Sequence, residues 1–171
     1  MRAPVKTDSE QLLMEVLNSA PVTDSTVADE LADEAGGRAW LRAHGLQDSV
    51  EEWRSMLKSR ELLWAVVRGE ETAEVFAGVI EGSRFVPTAQ KTGLAWQLET
   101  PDGRDAATRL VMAWDELGAE LPGRLRPCAN PECRLFLLDH SKNNTGRWCS
   151  MAVCGNRMKA RRHHARSTTE G

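Results

Sequence analysis

Four cysteines form two equally spaced pairs in the last third of the 171-residue chain. Each pair encloses four residues, and 15 residues separate the two pairs, which are Cys128 with Cys133 and Cys149 with Cys154. A tetrahedral zinc ion needs four donors that converge from different directions, and two short cysteine loops supply them. We therefore predict that the four thiolates bind one Zn²⁺ ion. Because they fill every coordination position, the metal is expected to be structural and not to activate water.

The sequence leaves two other uses of these cysteines open. The chain has no run of about 18 apolar residues and no apolar leader after Met1, so we expect a cytoplasmic protein without a membrane partner. In a reducing compartment, cysteine pairs bind metals more often than they form disulfides, which are the first alternative. In the second alternative, a histidine replaces one cysteine as a ligand; the candidates are His140, His163 and His164.

The charges of the chain are divided between its two parts. Residues 1–123 contain 12 Lys and Arg against 22 Asp and Glu, whereas residues 124–166 contain 10 against 2. The basic part is expected to bind a polyanion, and DNA is the partner that we predict. Attraction between the two parts of the protein is the alternative explanation. The basic side chains predicted to contact nucleic acid are Arg147, Arg157, Lys159, Arg161, Arg162 and Arg166.

These basic residues divide into two expected roles. Contacts with phosphates supply affinity without sequence information, whereas Arg157 or Arg161 facing a guanine would distinguish one sequence from another. Asn156 is compatible with contacting an adenine and with pinning the local loop through backbone hydrogen bonds. Arg157 is equally compatible with bracing the zinc loop. The residues alone do not decide between these roles.

The elements that must position the cysteines follow from the local pattern. The first cysteine pair is predicted to lie in a knuckle, which is a short turn that holds two metal ligands. The apolar run at 135–138 is predicted to lie in a hairpin between the two pairs, and the basic residues are predicted to lie on a helix from near Ser150 to Arg166. This order is the treble-clef arrangement, with the second pair at the first turn of a helix whose dipole favours thiolates. Phe136 and Trp148 are expected to form a small apolar cap over the metal.

The preceding part of the chain has mostly helical periodicity. We predict an α+β fold: a mainly helical domain at 1–123 with one β-hairpin, followed by a treble-clef-like zinc finger at 124–171, with Pro122-Gly123 at the boundary. We predict five helices. The first ends at Pro21, the second runs from Asp24 or Ser25 to Gly45 with a break at Gly36-Gly37, and the third runs from Ser49 to Arg68. The fourth, a short helix, ends at Gly82, the fifth runs from Asp105 to Leu121, and the predicted hairpin covers Arg84 to Thr100.

Aromatic residues of the helical part are expected to pack and not to bind a ligand. Four tryptophans fall on apolar helix faces and are predicted to lie in the core: Trp40, Trp53, Trp64 and Trp114. Trp96 lies in the predicted hairpin, where it faces either the helices or an open cleft, and it is a candidate ligand contact. His44 is predicted to face solvent at a helix end.

The segment from Cys128 to Arg166 resembles the CGNR zinc finger, because it contains the four cysteines and the intact tetrapeptide that begins at Cys154. The upstream part is similar, more diffusely, to the ABATE-type domain that accompanies this finger in bacterial proteins described as stress-induced transcription regulators. That likeness depends on Leu17-Asn18-Ser19 and on the segment from Trp40-Leu41 to Gly45-Leu46. The resemblance implies a ligand-sensing helical domain and a nucleic-acid-binding finger.

These features bear on three classes of function: a regulator, an adaptor and an enzyme. We expect a bacterial transcription regulator that binds DNA through the basic helix and senses an unknown small-molecule effector or forms a homodimer through its helical domain. The alternative is a zinc-finger adaptor that binds another protein without sequence-specific DNA binding. An enzyme is not expected, because the helical part has no glycine-rich phosphate loop, no serine–histidine pair with an orienting acid and no HExxH motif.

Overall fold

The computed structural model describes residues 7–23 and 26–169 and has the predicted mixture of helices and sheets. Its helices are α1 (Thr7–Leu17), α2 (Glu34–Ala43), α3 (Val50–Arg68), α4 (Ala77–Ile80), α5 (Asp105–Glu120) and α6 (Asn156–Thr169). A 3-10 turn at Ala73–Phe76 precedes α4, and a π-turn at Met151–Gly155 precedes α6. The strands form antiparallel pairs: β1 (Val22–Thr23) with β2 (Thr26–Val27), β3 (Arg84–Gln90) with β4 (Gly93–Glu99), and β5 (Leu125–Pro127) with β6 (Phe136–Leu138).

Helices α1, α3 and α5 enclose the main core and contact one another. The Ser49 hydroxyl caps α3 by accepting a hydrogen bond from the Glu52 N–H at 3.1 Å, and Gly69 ends the helix in the left-handed region at φ 75°. The buried apolar residues of these three helices include Leu13, Val16, Leu17, Met56, Leu63, Leu110 and Leu117. No described helix is both long enough and apolar enough to span a bilayer.

The sequence prediction for α2 is wrong at its start. Val27 lies in β2 and not in a helix, and α2 begins only at Glu34, where the Asp33 carboxylate accepts a hydrogen bond from the Gly36 N–H at 2.9 Å. The predicted first residues, 24 and 25, lie outside the described part of the chain. The predicted break at Gly36-Gly37 is also absent, because α2 packs so closely on α3 that a Cβ at position 37 would overlap the indole ring of Trp53. Here a tertiary contact outweighs the low helix propensity of glycine.

The predicted hairpin is confirmed as β3 and β4, with Arg84 opposite Glu99 and Gln90 opposite Gly93. Residues that face each other across an antiparallel pair share a face, and one face of this hairpin is entirely apolar. Its members are Phe85, Pro87, Ala89, Leu94, Trp96 and Leu98. Trp96 and Leu94 are 51% and 63% exposed. The four tryptophans that were predicted to lie in the core are buried or pack against it, as expected: Trp40, Trp53, Trp64 and Trp114.

The strand pairing near the cysteines differs from the predicted hairpin. Strand β6 pairs with β5, which precedes the first cysteine pair, and not with the segment that leads to Cys149. Phe136 is 1% exposed and lies in the main core instead of forming a separate cap over the metal. The Asn18 side chain fixes it there, accepting from the Phe136 N–H at 2.8 Å and donating to its carbonyl at 3.3 Å. The cysteine-bearing segment thus packs directly on α1.

Candidate metal centre and nucleic-acid interface

The fold brings the four cysteine sulfur atoms to within 4.8 Å of one another. Cys128 follows β5, and its N–H donates to the Leu135 carbonyl at 2.9 Å, which closes the first loop. Within that loop the Cys133 N–H donates to the Asn130 carbonyl at 2.9 Å. Cys149 and Cys154 flank the first residues of the π-turn that leads into α6. The loop from Cys128 to Cys133 and the segment from Cys149 to Cys154, which have equal lengths, therefore bring their four thiols together.

The distances between the sulfur atoms fit tetrahedral coordination. The Cys149 sulfur lies 3.6 Å from those of Cys133 and Cys154. Zn–S bonds of about 2.3 Å in a tetrahedron place sulfurs about 3.8 Å apart. A disulfide needs about 2.05 Å, and the four thiols are free, so the disulfide alternative is not the arrangement observed. The cluster has the donor number, chemistry and spacing of a structural zinc site.

The histidine alternative finds no support among the described side chains. The metal-ligand group found there consists of the four cysteines alone. His140 instead lies 2.9 Å from the Glu10 carboxylate, and the side chain of His163 falls outside the described residues.

The thiols interact strongly with one another. Burial, together with the neighbouring Cys154 and Cys128, raises the pKa of Cys133 to about 11. Burial and the adjacent thiols likewise raise the pKa of Cys149. At Cys154, burial acts in the same direction, but the hydrogen bond from Asn130 and those from the other thiols outweigh it and lower its pKa. A divalent cation would offset the repulsion between the thiolates, and its binding would release protons.

Hydrogen bonds from a side-chain amide and from a backbone N–H support the sulfur atoms of the cluster, and they were not predicted from the sequence. The amide of Asn130, which is fully buried, donates to the Cys154 sulfur at 3.5 Å and accepts from the Glu132 N–H at 3.3 Å. The Cys149 N–H donates to the Cys128 sulfur at 3.4 Å. Asn130-Pro131 is a turn signal between two cysteines, and it was the available indication that this asparagine bends the loop.

The loop between β6 and Cys149 is organised around one buried carboxylate. Asp139 accepts hydrogen bonds from the Ser141 N–H at 2.9 Å, the Gly146 N–H at 2.6 Å and the Arg126 guanidinium at 2.7 Å. Ser141 first, and then Gly146 and Arg126, hold the pKa of Asp139 well below its usual range. A Cβ on Gly146 would lie 2.8 Å from the Asp139 carboxyl carbon, so the closure requires glycine there. The loop thereby returns the chain to the first cysteine pair, where the Ala129 N–H donates to the Arg147 carbonyl at 2.8 Å.

The predicted nucleic-acid contacts lie in different environments. Arg157 and Lys159 are exposed on α6, and among described residues neither has a carboxylate partner. Arg161 pairs with Glu132 at 2.5 Å, so the first cysteine loop already offsets part of its charge. Arg147 is exposed, with its guanidinium 5.3 Å from the centre of the Trp148 ring. The side chains of Arg162 and Arg166 lie outside the described residues.

The start of α6 has two features that bear on recognition. Asn156 donates to the Ala152 carbonyl at 3.2 Å, which is the loop-pinning role considered from the sequence. Met151 and Val153 are each 55% exposed, although both are apolar, and their exposure was not predicted from the sequence. The only available signal was an apolar run between two metal ligands. These side chains form an apolar tip beside the basic helix.

A cavity of about 390 Å³ lies between α1, α5 and the base of the hairpin. Its apolar lining includes Leu12, Phe85 and Met112, and His44 lines it as well. The prediction that His44 faces solvent is wrong: it is half-buried, lies 2.6 Å from the Glu15 carboxylate, and stacks on Trp40 at 3.8 Å. Trp96 does not line this cavity, and its role as a ligand contact stays a hypothesis.

Comparison with known families concerns the cysteine-bearing segment. No curated protein matches the chain. Residues 124–167 match the family model described as CGNR zinc finger. The matched residues contain the two strands that enclose the first loop, all four clustered cysteines and nearly all of α6. By its sequence this segment is similar to the CGNR zinc finger, and its four thiols have the geometry of a zinc site.

Proposed function

We propose that the chain is a transcription regulator in which zinc, held by Cys128, Cys133, Cys149 and Cys154, presents α6 to DNA. One observation carries this proposal: four sulfur atoms converge within 4.8 Å at the start of a helix whose described polar surface is basic. When bound, the zinc ion supplies a closed structural cross-link between the first loop and the π-turn. The side chains of α6 then provide the interface with DNA.

Helix α6 suits a phosphate backbone, because its sequence contains five Lys and Arg and no Asp or Glu. Such residues release counterions from DNA, so binding should weaken steeply as salt increases. Base discrimination is expected near the helix start, where the first residues of a recognition helix reach base edges. Arg157 is available there for a guanine, and the apolar tip of Met151 and Val153 suits the methyl group of thymine.

The helical part is proposed to receive a small-molecule signal or to mediate dimerisation. The cavity beside His44 supports the first role, and the exposed apolar face of the hairpin supports the second. We propose a binding protein and not an enzyme, since a four-thiolate site leaves no coordination position for water. A cytoplasmic location is part of the same proposal.

The alternative function is a protein-interaction adaptor, and two observations favour it. The apolar hairpin face, with Phe85, Leu94 and Trp96 exposed, is suited to a protein partner. In addition, the ion pair between Arg161 and Glu132 engages one of the basic side chains of α6. An adaptor would bind polyanions only through net charge.

Selection from a random duplex DNA pool, with the full zinc-loaded chain at physiological salt, distinguishes these functions. The regulator proposal predicts enrichment of a sequence motif, and it predicts that Cys154→Ser abolishes the enrichment. The absence of any enriched motif, with equal binding to heparin and to DNA, would contradict the regulator and support the adaptor.

A further inference from the structure

A second group of exposed arginines lies outside α6, around the indole ring of Trp64. The guanidinium carbon of Arg68, at the end of α3, lies 5.7 Å from the ring centre, and that of Arg134, just after Cys133, lies 5.4 Å from it. Arg68 also lies 5.2 Å from the centre of the Phe136 ring. Both arginines are exposed. Neither has a carboxylate within ion-pair distance in the described part of the chain.

The third arginine at this ring, Arg60, is already ion-paired, although its Nε has no hydrogen-bond partner in the described part of the chain. Arg60 is 4% exposed and lies 4.6 Å from the centre of the Trp64 ring. It binds both oxygens of Asp29 at 2.7 Å and donates to the Ser19 hydroxyl at 2.8 Å. Arg60 therefore engages both oxygens of Asp29, and Arg134 interacts with that carboxylate only electrostatically, beyond ion-pair distance. The two exposed arginines form no ion pair with a described carboxylate, so their positive charges are available to an anion.

The aromatic ring holds these cations without neutralising them. A guanidinium over an aromatic face gains about 0.5–1 kcal/mol at an exposed site. Because an aromatic ring carries no formal negative charge, the guanidinium group stays cationic and its N–H donors can still bind an anion. Arginine forks match the geometry of phosphate oxygens, and a pair fixed beside one ring needs less ordering when an anion binds.

The first cysteine loop connects this group with α6. Glu132 pairs with Arg161 of α6, and Arg134, two residues further along the loop, lies over Trp64 of α3. The loop consequently touches the basic helix on one side and the Trp64 arginines on the other. Both sets of exposed cations flank the same cysteine loop.

We propose that Arg68 and Arg134 form a second phosphate-binding site, which takes phosphodiester groups of the DNA bound by α6. This inference rests on the proposed function and extends the interface from the finger to α3. It assigns the end of α3 a direct role in DNA binding, in addition to its place in the core.

The test compares the salt dependence of DNA binding by full-length, zinc-loaded proteins. The Arg68→Ala/Arg134→Ala variant is measured on a random-sequence duplex by fluorescence anisotropy at several salt concentrations. Two lost phosphate contacts should reduce the slope of log K against log salt by roughly 1.8. The Arg68→Lys/Arg134→Lys variant, which keeps both charges, should restore most of the slope.

Arg54→Ala is the matched control. Arg54 is exposed on the same helix and has no carboxylate partner among described residues, and its 14-residue separation from Arg68 corresponds to about 21 Å along the axis. Its removal changes the net charge but should leave the slope intact. The Arg68→Gln/Arg134→Gln variant, which keeps more of the packing on Trp64, is used if the alanine variant loses zinc or unfolds.

The possible failures are distinguishable. If the wild-type protein binds DNA and the glutamine or alanine variant keeps the full slope, the second site is refuted while the proposed function stands. A loss of slope in Arg54→Ala of about half that size, roughly 0.9, would also refute it, because this control removes one charge where the double variant removes two, and the effect would then be net charge. A wild-type protein that does not bind DNA even at low salt would refute the proposed function and this site with it.

Discussion

Among the four thiols, that of Cys154 is the one contacted by a buried side-chain amide. The Asn130 Nδ2 group lies 3.5 Å from its sulfur, and the other end of the same amide fixes the Glu132 N–H. One side chain therefore links the first cysteine loop to a ligand of the second pair. Hydrogen bonds of this kind orient a metal ligand and stabilise its thiolate form.

Replacing Asn130 with alanine should lower the affinity for zinc by about 10–100-fold, because the thiolate of Cys154 loses its donor and the first loop loses its internal support. Competition with a zinc chelator measures the change. Asn143→Ala is the control, since Asn143 is exposed in the later loop, and it should have the affinity of the wild type. Equal affinities of Asn130→Ala and Asn143→Ala would show that the amide does not support the site.

For single residues, the spacing of the cysteines was sufficient to predict the metal ligands but not the side chains that hydrogen-bond to them. Cysteine pairs with equal separation have few uses, so four residues were sufficient to predict the cluster. Asn130 and Asp139 become important only after their loops close, since Asn130 bonds to Cys154, 24 residues away, and Asp139 bonds to Arg126, 13 residues away. The ion pair between Glu132 and Arg161 was not predicted for the same reason. Such long-range pairs leave no periodic pattern in the sequence.

Among the elements, α3 and α5 are joined by a buried carboxyl group that forms no ion pair with the described residues. Glu52 is fully buried, and one of its oxygens accepts a hydrogen bond from the Ala106 N–H in the first turn of α5. Its other oxygen has no hydrogen-bond partner in the described part of the chain. Burial raises the pKa of Glu52, and the backbone N–H groups of α5 only partly oppose this. The first turn of α5 is thus capped by a residue of another helix.

Glu52→Gln should become more stable relative to the wild type as the pH rises. The folded-state pKa of Glu52 lies above the unfolded value of about 4.3, so the wild type has its full stability below that value and loses some as pH rises through the folded pKa. Glutamine does not ionise and avoids this loss. Denaturant unfolding between about pH 4 and pH 7 measures the difference.

Glu51→Gln is the control for this prediction, because Glu51 is the exposed neighbour on the same helix. Glu52→Gln should gain stability relative to Glu51→Gln as the pH rises, because only the first substitution removes the buried carboxyl. A difference for Glu52→Gln that stays constant, or that decreases as the pH rises, would mean that the buried carboxyl does not destabilise the ionised protein.

The elements that could be predicted were those with a repeated pattern and a local end signal. Helix α3 has its serine cap and its terminal glycine, and the β3–β4 hairpin has alternating apolar residues. The continuity of α2 through Gly36-Gly37 could not be predicted, because it depends on the contact between Gly37 and Trp53 of α3. The pairing of β6 with β5 could not be predicted either, since the preference for it arises when the Asp139 loop closes.

For the whole molecule, the cysteine-bearing segment and the helices share one core. Phe136 lies in the same cluster as the buried residues of α1, Asn18 bonds to its backbone, and His140 contacts Glu10. The division at Pro122-Gly123 stays a prediction that was based on composition and charge. These contacts nevertheless imply that the stability of the finger and that of the helices are coupled.

Zinc removal should therefore destabilise α1, α3 and α5 as well as the finger. Chelation is expected to shift the thermal transition of the full chain to lower temperature in one step, because the metal-bound segment contributes Phe136 to the shared core. Far-UV circular dichroism follows the helices, and tryptophan fluorescence follows the surroundings of Trp64. Phe136→Ala, which should cost about 3–5 kcal/mol, is expected to weaken the coupling.

Two separate transitions, with the helical one unchanged by the chelator, would contradict this coupling. The same result would support independent folding of the two predicted domains.

The zinc content of the purified full-length chain tests the central claim most directly. Native mass spectrometry should find one zinc ion per chain in the wild type and none in Cys133→Ser or Cys154→Ser, because each substitution removes one of four converging thiolates. Ser150→Ala, beside a ligand but not itself a ligand, should retain the metal. A cysteine variant that keeps one zinc ion per chain with wild-type affinity would contradict the four-thiolate site.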